Sequence, residues 1–75
     1  MPKSSISPRI ELRINGETRQ VPQGCTVDGL LSMLELGHKR VAVAINREVV
    51  PRSDFTVQKL DGGDRVEILE AVGGG

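Results

Sequence analysis

The 75-residue chain has no tryptophan and no tyrosine, one phenylalanine, one histidine and one cysteine. Each scarcity excludes something. A single cysteine, Cys25, rules out an internal disulfide framework. With His38 as the sole histidine, no Cys/His cluster is available to hold zinc. With Phe55 as the sole ring, the core has to be built from Ile, Leu and Val. No apolar run approaches the length of a membrane span, and residues 1–8 contain no apolar stretch like that of a signal peptide. Ten basic and ten acidic residues cancel, so no excess of one sign argues for nucleic acid or an anionic membrane. The simplest expectation is a small cytoplasmic protein, monomeric when free. It has one compact domain, and at this length its stability margin is thin.

What is present is periodic. Residues 1–8, with two prolines and three serines, read as a flexible lead-in. Arg9-Ile10-Glu11-Leu12-Arg13-Ile14 alternates charged and apolar residues, the signature of a strand with one wet and one buried face. Asn15-Gly16 suits a type I′ turn, and Glu17 to Val21 runs back as a second strand. Thr26 is placed as an N-cap, with Asp28 in the first turn. Val27, Leu30, Leu31 and Leu34 then form one helical stripe, and Gly37 is the expected stop. Val41 to Ile45 is a third strand, Asn46-Arg47-Glu48 a turn, and Val49-Val50 a short fourth strand closed by Pro51. Phe55 and Leu60 are expected to point inward from the next connection. Asp61-Gly62-Gly63-Asp64 turns into a last strand from Arg65 to Val72. Gly73, Gly74 and Gly75 follow as a flexible tail.

Two strands, a helix and three further strands predict an α+β domain over residues 9–72. The order fits a β-grasp: a mixed sheet of four to five strands, one main helix on one face, and the last strand central, beside the first and third. Alternation turns Val41, Val43, Ile45, Val66 and Ile68 toward the helix. It leaves Ala42, Ala44, Leu69 and Ala71 on the opposite face, a low-charge patch at the root of the tail and a candidate docking surface.

The segment Ala42 to Arg52, the segment Leu60 to Ile68 and the terminal glycines resemble the sulfur carriers of thiamine biosynthesis, the ThiS family. The resemblance spans roughly residues 9–75. It implies a carrier with no active site of its own, whose C-terminal Gly75 is adenylated by a partner enzyme. A persulfide donor then supplies sulfur, the end becomes a thiocarboxylate, and thiazole synthase receives the sulfur. ATP and magnesium would belong to the adenylating partner, and Gly73 to Gly75 would enter its active site. The absence of Cβ lets such an end thread a narrow passage. The resemblance also marks Arg52 as a candidate contact. A molybdopterin-type carrier, a ubiquitin-like modifier and a noncovalent β-grasp module stay open as alternatives. Cys25 has no neighbouring histidine to lower its pKa, and Asp61 with Asp64 reads as turn chemistry rather than a metal site.

Overall fold

A computed structural model describes residues 8–70. Two hairpins, one helix and a last strand assemble around a single aliphatic core. β1 (Arg9–Ile14) and β2 (Glu17–Pro22) are antiparallel, joined by two residues. Asn15 and Gly16 both have positive φ, 50° and 87°, as a type I′ turn requires. β3 (Val41–Ile45) and β4 (Glu48–Val50) form the second hairpin, joined by Asn46 and Arg47. Glu48 is therefore a strand residue opposite Ile45 and not part of the turn, because Arg47 itself takes the left-handed conformation at φ 73°. β5 (Arg65–Glu70) lies between the hairpins, parallel to β1 and antiparallel to β3. The sheet order is β2-β1-β5-β3-β4, with the last strand central as its sequence position in a β-grasp predicts.

The helix α1 (Val27–Met33) is short, so it depends on what surrounds it. The first turn leaves backbone N–H groups without intrahelical partners. Here Val27 N–H donates to the Gln58 carbonyl and Asp28 N–H to the Phe55 carbonyl, each at 2.9 Å. Gly29 N–H donates to Thr26 Oγ1 at 3.1 Å, so Thr26 is the N-cap. The irregular connection that contains the one-turn η1 (Arg52–Asp54) thus serves as a socket for the helix start.

The helix ends earlier than Gly37. Glu35 takes the left-handed conformation at φ 61°. Its N–H donates to the Ser32 carbonyl, and Leu36 N–H donates to the Leu31 carbonyl at 2.7 Å. That pair of bonds is a Schellman closure with a glutamate where glycine is usual. Leu36 packs partly buried against the core beside it.

The core holds Leu12, Ile14, Val21, Val27, Leu30, Leu31, Val43, Val50, Phe55, Leu60, Val66 and Ile68. Ile10, Leu34, Val41 and Ile45 flank it, partly buried. Phe55 and Leu60 point inward as expected. Burying each such side chain contributes about 1.5–3 kcal/mol before entropy is subtracted.

Candidate functional site

The face of the sheet away from the helix follows from strand alternation. Ala42 pairs with Leu69 and Ala44 with Glu67 across β3 and β5. Leu69 is 72% exposed, and Ala42 is exposed as well. Ala44 is half-buried between its two neighbouring strands. The structure therefore brings together Ala42, Ala44 and Leu69 on one open surface. Ala71 and Gly73 to Gly75 lie outside the described residues.

Two features of this face differ from the sequence reading. Val49 belongs to it: it pairs with Ala44 from the β4 side and is 77% exposed. Its signal was present in the chain, since a two-residue turn at Asn46-Arg47 sets the register. The patch is also not free of charge, because Glu67 stands directly opposite Ala44 and two residues from Leu69. Farther from the tail, Arg13 and Arg65 are paired positions on β1 and β5 and are both exposed. The surface thus runs from a cationic end, through Glu67, to an apolar end at Leu69 and Ala42. Arg52 sits apart, exposed in η1, with no ladder position on the sheet.

The end of β5 is held from both sides. Toward β3, Glu70 pairs with Val41, and its carboxylate accepts from Lys39 Nζ at 2.9 Å. Both side chains of that ion pair are about half exposed, so its contribution is small. Toward β1, the side chain of Asn15 hydrogen-bonds the backbone of Ile68. A recess lined by Asn15, Glu67, Ile68 and Leu69 opens at that point.

Cys25 is half-buried at the helix entry, and burial pushes its thiol pKa up. Its Sγ contacts the Thr26 carbonyl at 3.4 Å. A raised pKa is the reverse of what a reactive thiolate needs. Asp64 is used locally: its carboxylate accepts from Asp61 N–H at 2.8 Å and from Asn46 Nδ2 at 3.0 Å. No helix among the described residues is long and apolar enough to cross a membrane.

Comparison with known proteins decides the family. Residues 12–75 match the ThiS family model. The chain belongs to the ThiS family. A ThiS thiamine biosynthesis protein from Geobacter metallireducens has a similar crystal structure, with a TM-score of 0.76 and 35% identity. That match covers 88% of this chain and all of the other. The sulfur carrier protein ThiS of Escherichia coli is 29% identical over 88% of this chain and its own full length. A thiazole synthase of Paramagnetospirillum magneticum is 39% identical over 88% of this chain. Against that longer protein the chain spans 20% of the length. The β-grasp architecture expected from the order of elements is the ThiS architecture.

Proposed function

We propose that this ThiS-family chain carries sulfur for the thiazole ring of thiamine, on the α-carboxyl group of Gly75. The observation that carries the reading is the family match running through residue 75, onto a fold whose central strand leads toward that residue. The thiamine names of the Geobacter and Escherichia relatives favour this pathway over molybdopterin. A segment like this chain inside a protein named thiazole synthase supports a working association with that enzyme, since tethering raises effective concentration.

The chemistry follows from the carboxyl group. Resonance and negative charge make a carboxylate a poor electrophile. An adenylating partner uses ATP, with its magnesium, to form an acyl adenylate at Gly75 and release pyrophosphate. The terminal sulfur of a persulfide attacks the acyl carbon, and AMP leaves. Two thiols then reduce the acyl disulfide: the first releases the thiocarboxylate and forms a mixed disulfide with the donor, and the second frees the donor's thiol, the two reductant sulfurs ending as a disulfide. Thiazole synthase consumes that sulfur. In this reading the chain supplies no acid, base or nucleophile of its own. Gly73 to Gly75 enter the partner's active site, while Ala42, Ala44, Val49 and Leu69 dock the body, with Ala71 and Arg52 as further contacts.

The test is adenylation. The chain, its adenylating partner, ATP and labelled pyrophosphate should give exchange of label into ATP. The same chain with one residue added after Gly75 should give none. Equal exchange with the blocked end would contradict the reading.

A further inference from the structure

The two sides of β5 are supported differently. Toward β3 its ladder runs from Val66 to Glu70. Toward β1 the paired residues stop at Ile14 opposite Val66, because the chain turns back at Asn15 and Gly16. The last backbone rung is Asn15 N–H to the Val66 carbonyl, at 2.9 Å. In a parallel ladder the next rung would take Ile68 N–H to the backbone carbonyl of residue 15. The one after would bring a donor from residue 17 to the Ile68 carbonyl. The side chain of Asn15 supplies both. Ile68 N–H donates to Asn15 Oδ1 at 2.9 Å, and Asn15 Nδ2 donates to the Ile68 carbonyl at 3.2 Å. A carboxamide has the donor and acceptor of a peptide group, so it extends the ladder past the point where the β1 backbone leaves.

A second asparagine does the matching work at the other end. Asn46 also occupies the first turn position, at φ 50°. Its Oδ1 accepts from Arg65 N–H at 3.0 Å, and its Nδ2 donates to Asp64 Oδ1 at 3.0 Å. Asn46 secures the start of β5. Asn15 secures the part that leads on toward Gly75.

We propose that Asn15 is a positioning residue for the chemistry at Gly75. By completing the β1 side of the ladder at Ile68, its amide fixes the line along which the C-terminal segment is delivered to the adenylating partner. This rests on the sulfur-carrier reading. Five residues follow Glu70, the last of them Gly75. Held fully extended inside the partner, they span at most about 18 Å, so a tilt of about 10° at their root displaces the far end by about 3 Å. Displacements of that size matter, because reacting atoms have to come within about 3–3.5 Å.

The experiment compares Asn15→Gly with Asn46→Gly. Both keep a residue suited to positive φ, and both remove one amide from β5. Adenylation is followed by pyrophosphate exchange at a temperature where circular dichroism shows each variant folded. Asn15→Gly is expected to lower kcat about tenfold with KM for the carrier within about twofold, since the outer face is intact. Asn46→Gly is expected to keep the kcat of the unsubstituted chain. Asn15→Asp, which keeps the acceptor and loses the donor, should fall between and serves if the glycine variant does not fold. An unchanged kcat in the Asn15 variants, or an equal loss in Asn46→Gly, overturns the proposal while leaving the carrier reading intact. An unsubstituted chain that is not adenylated overturns the carrier reading, and this proposal with it.

Discussion

The side-chain amide of Asn15 bonds both backbone groups of Ile68, 53 residues further along the chain. One residue thereby makes a two-residue turn and ties the first strand to the last. Each of the two hydrogen bonds is worth about 0.5–1.5 kcal/mol net, so Asn15→Gly should cost about 1–3 kcal/mol. For a domain of this size that is a fall in Tm of about 4–8 °C per kcal/mol. Chemical denaturation should show the loss as a lower midpoint with an unchanged slope.

The docking face predicts a separation of binding from stability. Leu69→Glu should shift stability by less than about 0.5 kcal/mol, because its side chain is exposed. Ala44→Arg places a cation opposite Glu67, and such a cross-strand pair holds or slightly raises stability. Both should weaken binding to the adenylating partner, read by titration calorimetry. Ile68→Ala, one position away but buried, should cost about 2–5 kcal/mol. Stability losses for Leu69→Glu as large as those for Ile68→Ala would contradict the assignment of faces.

The helix stop yields a stabilising substitution. Glu35 bears the steric cost of a left-handed conformation, about 1–2 kcal/mol for a residue with a Cβ. Glycine removes that cost but loosens the unfolded chain. Glu35→Gly should therefore raise stability by up to about 1 kcal/mol, visible as a higher Tm.

Strand faces were legible in the chain because a period of two leaves few alternatives. Arg9 to Ile14 could bury only Leu12 and its neighbours two apart, and Asn15-Gly16 could hardly be other than a turn. The same alternation places Ala42 and Leu69 outward, and it places Glu67 outward between Leu69 and Arg65, so the charge within the patch is legible in the chain as well. The helix stops short of Gly37, although glycine is the usual left-handed residue, because packing of Leu36 against the core draws the closure back to Glu35. The asparagine contact with Ile68 had no local signal at all. It exists only because a parallel pairing brings residues 15 and 68 side by side.

Burial of Cys25 raises its thiol pKa, and the sign of the consequence is fixed by linkage. The unfolded thiol ionises at lower pH than the folded one. The stabilisation is therefore fully present at neutral pH and is lost as pH rises from the unfolded thiol's pKa through the raised folded value. Alkylation by iodoacetamide should be slower than for a free cysteine at the same pH, with its rate midpoint displaced upward. A midpoint displaced downward would mean an activating environment that burial does not provide.

The central claim is tested most directly by intact mass. The chain is incubated with its adenylating partner, ATP, a persulfide donor and a thiol, and the C-terminal fragment is then sequenced by tandem mass spectrometry. The account predicts a gain equal to sulfur replacing oxygen, confined to the fragment that ends in Gly75. An unchanged mass, or a gain that maps to Cys25 while Gly75 stays a carboxylate, would contradict it.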